Sequence, residues 1–276
     1  MRSSKENITD KTKLLSVLSI CACILAGCAT VNVNVNTPAK PAEENVEIIC
    51  FAAASMTETM EEIKSAYELA NPNITITYNF DSSGTLKTQI EEGADCDLFI
   101  SAAQKQMDEL DCVDDATRID LLENKVALSV PEGNPKNIGS FDDLVAGLKD
   151  SSIFLAMGNE DVPVGQYTQK IFDYYGLDET SLAGSGVLTY GSNVKEVTTQ
   201  VSEGTVDAGI IYSTDAFSAG LDVVDTATPE MCGQVIYPAA VLTGSKNPDE
   251  AKTFLDYLQS PDAGKVFESV GFSALK

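Results

Sequence analysis

Four places in the sequence read as the first turn of a helix entered from a strand or a tight turn: Ser55, Ser82-Ser83-Gly84, Pro163-Val164-Gly165 and Asn193-Val194. A first helical turn carries backbone N–H groups with no acceptor inside the helix, and the aligned peptide dipoles place partial positive charge there. Serine hydroxyls add further donors at two of the four, and none of the four adds a formal charge. Such a set suits a small, fully ionised oxyanion, which accepts many hydrogen bonds and donates none. Each donor missing from a dehydrated site of this kind would cost about 1–3 kcal/mol. A divalent cation would need a carboxylate cage, and no loop has that ligand spacing. Every one of these residues also has a structural use: Ser55 and Asn193 are good helix caps, and Ser82-Ser83-Gly84 is a turn.

The elements that must position these residues follow from periodicity. Val46 to Phe51 is a short apolar run; after three alanines and Ser55, residues Met56, Met60, Ile63 and Tyr67 recur at helical spacing. This predicts an amphipathic helix with Ser55 as N-cap and Glu58 completing a capping box. Ile74 to Tyr78 alternates as a strand, Ser82-Ser83-Gly84 turns into a helix over Leu86 and Ile90, and Asp97 to Ser101 is a third strand with a helix over Met107 and Leu110 behind it. Lys125 to Val130 is another strand, stopped by Pro131-Glu132-Gly133-Asn134-Pro135. Beyond it come a strand at Ile153 to Met157 and a helix with Pro163 at its first position, running through Tyr167, Ile171 and Tyr174. Asn193 to Glu196 reads as a second capping box, ahead of Val197 and Val201. Asp207 to Tyr212 is a strand, Ser213 to Ala216 starts a short helix, and a late strand at Val235 to Leu242 precedes helices near Pro248 to Gln259 and Pro261 to Val270. Strands alternating with helices predict an α/β fold with mostly parallel sheets covered on both faces. The break near Pro131 and the late strand predict two lobes joined by more than one crossing strand. Ligands of open α/β sheets bind outside the carboxyl ends of the strands, and a cleft between two lobes doubles the helix N-termini there.

Composition narrows the function from the other side. The 276 residues carry 18 Lys and Arg against 42 Asp and Glu, a formal charge of −24, with no His and no Trp. Nucleic-acid partners are disfavoured, because Lys and Arg neutralising phosphates supply most of that affinity. The missing His removes Ser-His-Asp and Cys-His catalysis and His-ligated zinc together. Residues Met1 to Lys13 are polar and basic, and the apolar run Leu14 to Ala26 is too short for a stable membrane anchor, which predicts a secretory signal over residues 1–27. The end of that run, Leu25-Ala26-Gly27-Cys28, resembles the lipobox of bacterial lipoproteins and implies cleavage before Cys28 and a lipid on its sulfur. Cleavage removes four basic and two acidic residues and would leave a charge of −26. Residues 28–45, with their Val-Asn repeats and two prolines, read as a flexible tether. Cys50, Cys96, Cys112 and Cys232 remain in the folded part; without CxxC spacing or His they are expected to be small buried hydrophobes, or to form one bridge at most.

Phe51 to Thr57, Ser82 to Leu86 and Asp97 to Ala102 with Gln104-Lys105 and Met107-Asp108 closely resemble the molybdate-binding proteins of ABC importers. Val162 to Tyr167, Gly209 to Ala216 and Tyr237 to Val241 continue the resemblance in the same order, so that it covers residues 46–272. It implies a two-lobed periplasmic-binding-protein fold of type II, with residues 46–128 plus 238–276 as one lobe and 129–237 as the other. It also implies an oxyanion held by Ser55 and Ser83 through hydroxyl and amide, by the amides of Val164 and Val194, and by the hydroxyl of Tyr212. The protein would be a monomer with no enzymatic activity and no cofactor. It would be anchored outside the cell through Cys28 and pass molybdate or tungstate to a permease with a cytoplasmic ATPase. Two departures are visible: Gly84 stands where serine is common, and Val164 where alanine is common.

Other readings stay open on the residues alone. Sulfate or phosphate could occupy the same donors, and a carboxylate facing the anion would favour phosphate; no clear one is visible in the donor set. An anchored hydrolase using Ser55 or Ser83 would have only Lys64 and Lys87 as nearby bases in sequence, and a surface scaffold would bind no small ligand. With donors that do not titrate near neutrality, affinity is expected to be nearly constant between about pH 6 and 8.

Overall fold

The computed structural model describes residues 44–275; the signal segment, Cys28 and the tether through residue 43 lie outside the described residues. From the first of these the apolar runs and amphipathic stretches alternate as β1 (Val46–Ala53), a 3-10 turn (Ala54–Met56), α1 (Thr57–Ala70), β2 (Ile74–Asp81), α2 (Ser83–Glu91), β3 (Leu98–Ile100), α3 (Gln104–Asp108) and β4 (Ile119–Asn124). The middle of the chain supplies β5 (Val126–Val130), α4 (Phe141–Lys149), β6 (Leu155–Gly158), α5 (Pro163–Tyr175), α6 (Glu179–Gly184), β7 (Leu188–Gly191), α7 (Val194–Ser202), β8 (Ala208–Tyr212), α8 (Ser213–Ala219) and β9 (Asp222–Thr226). It closes with α9 (Pro229–Cys232), β10 (Val235–Val241), α10 (Pro248–Leu258), α11 (Pro261–Ser269) and β11 (Ser273–Ala274). Among the described residues, no helix is long and apolar enough to cross a membrane.

The strands form two sheets, one ordered β11-β4-β10-β3-β1-β2 and the other β7-β6-β8-β5-β9. Strands joined through helices are parallel: β1 to β2 and β3, and β6 to β7 and β8. Strands that carry the chain between the sheets run against their neighbours: β10 is antiparallel to β3 and β4, and β5 to β8 and β9. Each sheet is therefore mixed rather than mostly parallel, because a strand that arrives from the other sheet enters by the opposite end. Lobe boundaries expected at 128/129 and 237/238 would cut β5 and β10. Strand pairing instead keeps all of β5 in the second sheet and all of β10 in the first, so the crossings fall at Lys125 and between β9 and β10. Pro131 ends β5; it does not separate the lobes.

The predicted α1 face is buried as its spacing requires, with Met60, Ile63 and Tyr67 in the core, and the Tyr67 ring meets Phe254 of α10 edge-on at 4.8 Å between centroids. The short acidic strands β4 and β9 escaped the periodicity argument, since charged residues interrupt both. Cys50, Cys96, Cys112 and Cys232 are all free thiols, the first, second and fourth buried. Burial pushes the Cys96 thiol up to about 12, against two backbone hydrogen bonds, and so keeps it protonated and inert.

The parallel strands end in register. Ala53 closes β1 opposite Asp81 at the end of β2, and Gly158 closes β6 opposite Gly191 at the end of β7. These edges deliver the 3-10 turn, α2, α5 and α7 to one side of the molecule. At the far end of β3, the buried Asp97 ties three segments together. Its Oδ2 accepts from the Ile49 amide at 2.8 Å, and its Oδ1 accepts from the Ser245 hydroxyl at 2.6 Å and the Lys246 amide at 2.9 Å. Asp97→Ala would strand three donors, and a loss of about 3 kcal/mol in unfolding free energy is expected from urea titration.

Candidate functional site

Ser55, predicted as the cap of α1, caps nothing. The chain leaves β1 through the 3-10 turn, α1 begins at Thr57, and no side chain caps it. The Ser-x-x-Glu spacing is real, but the intervening tight turn shifts the helix start by one residue and leaves Ser55 buried inside the turn. Its Oγ lies 2.9 Å from the hydroxyl of Tyr237 on β10. At the start of α2 the neighbouring serines divide two tasks. Ser82 is the cap, accepting from the Thr85 amide at 3.1 Å, whereas the Ser83 Oγ accepts from the Ala102 amide at 2.9 Å after β3.

In the second lobe Pro163 opens α5 as expected, making Val164 its second residue. Gly165 follows because the β6–α5 turn folds tightly: a Cβ there would lie 2.2 Å from the Asn159 carbonyl oxygen. Asn193 caps α7 through the Glu196 amide at 3.1 Å, but the Glu196 carboxylate takes the Ser192 amide at 2.7 Å, so the capping box closes one residue early. This leaves the Val194 amide at the first position of α7. Tyr212 ends β8 with its ring buried, and its hydroxyl has no hydrogen-bond partner among the described residues. Burial, with the adjoining Tyr237, Tyr167 and Asp215, holds its pKa well above the usual tyrosine value, so it remains a donor.

The structure brings Ser55, Ser83, Val164, Val194 and Tyr212 together around one cavity of about 10 Å³, room for little more than a water-sized group. That is smaller than the roughly 300–1,000 Å³ typical of pockets for organic ligands. Its other walls are Ala53, Ala54, Ala102, Val162, Pro163, Ser82 and Asp81. Among the described residues, no cationic side chain lines it. Asp81 is the surprise, since no carboxylate was expected among the donors; its Oδ1 accepts from the Ser82 amide at 2.7 Å and from Asn193 Nδ2 at 3.3 Å.

The lobes meet around this cavity. Asn193 reaches Asp81, Gln106 Nε2 donates to Gln166 Oε1 at 3.2 Å, and Lys195 Nζ lies 2.9 and 2.8 Å from the two Glu58 carboxylate oxygens. Val194 is thus flanked on both sides by residues that grip the first lobe. Lys195 also stands 3.1 Å from Asp215 Oδ1, an ion pair whose angles fall outside hydrogen-bond geometry. Burial pushes the Asp215 carboxyl up to about 6, with Lys195 opposing it; burial would lower Lys195, yet Asp215 and Glu58 together raise it. An ionisable group next to the site therefore titrates near neutrality, and the pH range over which affinity should be flat narrows to about 7 and above.

Comparison with known proteins accords with this geometry. Residues 48–273 match the family model of the bacterial extracellular solute-binding proteins. The chain belongs to that family. It is 35% identical over 258 residues to a Bacillus subtilis protein provisionally named ABC transporter substrate-binding lipoprotein YvgL, covering 91% of this chain and 94% of that one. To the molybdate-binding protein ModA of Escherichia coli it is 34% identical over 238 residues, covering 82% and 89%. A solved Clostridium difficile structure, described as the substrate-binding domain of a provisionally assigned molybdenum ABC transporter, aligns at 33% identity with a TM-score of 0.62. The alignment covers 83% of this chain and 99% of that one. The resemblance read from six ordered segments and the two-lobed type II architecture are both upheld, and this solute-binding protein acts outside the cytoplasm.

Spacing did not single out Asn124, Lys195, Asp215, Asp81 or Tyr237. Tyr237 and Asp215 lie inside recognised segments, the signal available for these two; Asn124 ends an acidic strand that carries no pattern.

Two outcomes follow from the geometry. A Cβ on Gly84 would lie 2.1 Å from the Asp161 carbonyl oxygen across the cleft. Gly84→Ala should therefore hold the lobes apart, giving a larger radius of gyration by small-angle scattering with little change in melting temperature. For Asp215, a carboxyl at about 6 in the folded state against 3.8 unfolded binds its proton more tightly when folded, so its contribution to stability declines as pH rises from 4 to 6. Asp215→Asn should remove up to about 1.4 kcal/mol per pH unit of that decline, measured as the difference between wild-type and variant denaturation at pH 4.5, 5.5 and 6.5.

Proposed function

We propose that this solute-binding protein captures molybdate or tungstate and delivers it to a membrane permease driven by a cytoplasmic ATPase, as a monomer held to the membrane by a lipid on Cys28. The observation that carries this reading is the small cavity between the lobes, lined by Ser55, Ser83, Tyr212 and the first-turn residues Val164 and Val194 and, among the described residues, by no cationic side chain. Ser55 and Ser83 would give hydroxyl and amide, Val164 and Val194 amide alone, and Tyr212 its phenol. A dianion surrounded by neutral donors from both lobes favours their closed arrangement, because only there do all donors reach it. No chemical step is required. Lys64 lies 5.8 Å over the Tyr78 ring and Lys87 lies between Glu91 and Glu109, so neither is placed as a base for the cavity serines.

Asp81 supports a second reading. A carboxylate in the lining can accept a proton from a partly protonated anion, which is what monohydrogen phosphate needs; its engagement with Ser82 and Asn193 weighs toward the fully ionised ligands.

Calorimetric titration with molybdate, tungstate, sulfate and phosphate tests both. Molybdate and tungstate should bind tightly and compete with each other. Ser83→Ala and Tyr212→Phe should each weaken them by about 1–3 kcal/mol. A folded protein that gives no heat with molybdate or tungstate would refute the leading reading, and preferential phosphate binding lost in Asp81→Asn would establish the second.

A further inference from the structure

Behind Ser55 lies a buried chain of polar groups with a definite direction. Asn124 Oδ1 accepts from the Lys125 amide at 2.8 Å, which fixes the side-chain amide: reversed, it would set two donors against each other. Its Nδ2 is therefore the end that faces Thr214 Oγ1 at 2.9 Å and the Tyr237 hydroxyl at 3.2 Å. Asn124 donates to both. Having accepted there, the Tyr237 oxygen keeps its own hydrogen for another partner, and Ser55 Oγ at 2.9 Å is the acceptor within reach. Were Ser55 to donate instead, the Tyr237 hydrogen would be left without an acceptor among the described residues. Tyr212 adjoins Tyr237, with ring centroids 5.8 Å apart, yet no bond of acceptable geometry joins their oxygens. Tyr237 is fully buried and Asn124 nearly so, and in so dry a place an unpaired hydroxyl costs more than either alternative. The protons thus run from Asn124 to Tyr237 to Ser55, and the Ser55 hydrogen is free to point into the cavity.

Ser83 is arranged alike by a different route. The Ala102 amide donates to its Oγ, so its hydrogen also has no role within that bond. Both cavity serines have their oxygens supplied with a hydrogen from behind.

We propose that Asn124 and Tyr237 are positioning residues that fix Ser55 as an outward-facing donor, and that this polarity makes the site prefer fully ionised oxyanions over those that keep a proton. The proposal rests on the oxyanion reading above and adds its selectivity mechanism. A protonated anion must donate, and a serine oxygen already supplied from behind, with its hydrogen aimed at the ligand, is a poor acceptor. Tyr237→Phe frees the Ser55 oxygen and lets its hydroxyl rotate. Asn124→Asp sets an acceptor behind Tyr237, draws the tyrosine hydrogen away and turns the Ser55 hydrogen back toward Tyr237.

The test is the ratio of affinities for molybdate, fully ionised at pH 7.5, and inorganic phosphate, largely monohydrogen phosphate there. It is measured by calorimetric titration in wild type, Tyr237→Phe, Asn124→Asp, Ser55→Ala and the Ser55→Ala/Tyr237→Phe pair. Molybdate affinity should fall about tenfold in Tyr237→Phe, with phosphate affinity unchanged or raised, and the ratio should shift further in Asn124→Asp. In the Ser55→Ala background, Tyr237→Phe should leave the ratio unaltered, because the tyrosine acts through the serine. A purely structural role predicts parallel losses for both anions and the same loss with or without Ser55; either result overturns the proposal. Should Asn124→Asp fail to fold, the Tyr237→Phe cycle decides alone. A wild-type protein that binds neither anion overturns the oxyanion reading and this proposal with it, whereas wild-type molybdate binding with an unchanged ratio in Tyr237→Phe overturns this proposal only.

Discussion

A buried first-turn amide has to find an acceptor, and this molecule buries two first-turn residues at one cavity. Val164 and Val194 are both buried, at helix positions where the helix itself supplies no acceptor. These two residues, the two serines and Tyr212 come from five separate elements, yet all line one small cavity. In-register strand ends bring this about: β1 with β2, and β6 with β7, stop level with each other, so the turns and helices that follow begin side by side. Hydrogen-bond donors are strongest where water is excluded, and the alanines, valines and proline among the cavity's walls favour that exclusion.

How much of this was legible beforehand depended on the kind of signal. Helices with a wide apolar stripe, such as α1 and α5, declared themselves, and so did the apolar strands β1, β5 and β8. Strands β4 and β9 did not, because Asp120, Glu123, Asp222 and Asp225 break their alternation, and pairing within a sheet overrides that. The misassigned cap at Ser55 shows a limit of motif spacing. Ser-x-x-Glu is satisfied, but a tight turn takes up the residues between, and the glutamate is used by a lysine in the other lobe. Residues that touch the cavity lie next to glycines, prolines and serines whose conformational preferences can be read locally. Asn124, Tyr237 and Asp215 act from behind them, over separations of ninety residues and more for Asn124, and only the folded chain brings such partners together.

The acidic excess also looks different once located. Distant carboxylates on the surface are screened within about 8 Å at physiological salt. Asp81 and Asp215 are the two that cannot be dismissed in this way. Asp81 is tied to the Ser82 amide and to Asn193, while Asp215 has Lys195 beside it, and Lys195 continues to Glu58. Negative charge near the cavity is thus matched locally, mostly by groups that belong to the opposite lobe or to a helix start.

Between Asn124 at the end of β4 and Val126 at the start of β5 there is a single residue, Lys125. Two strands locked in different sheets and separated by one residue leave no slack for sliding. With a second crossing between β9 and β10, the lobes are left to rotate about the line through these two connections. Asn124 sits on that line, bonded to Thr214 on one side and Tyr237 on the other. Points on an axis move least, so the group that orients Ser55 stays nearly still while the walls of the cleft swing, and the serine faces an arriving anion with its hydrogen already turned outward.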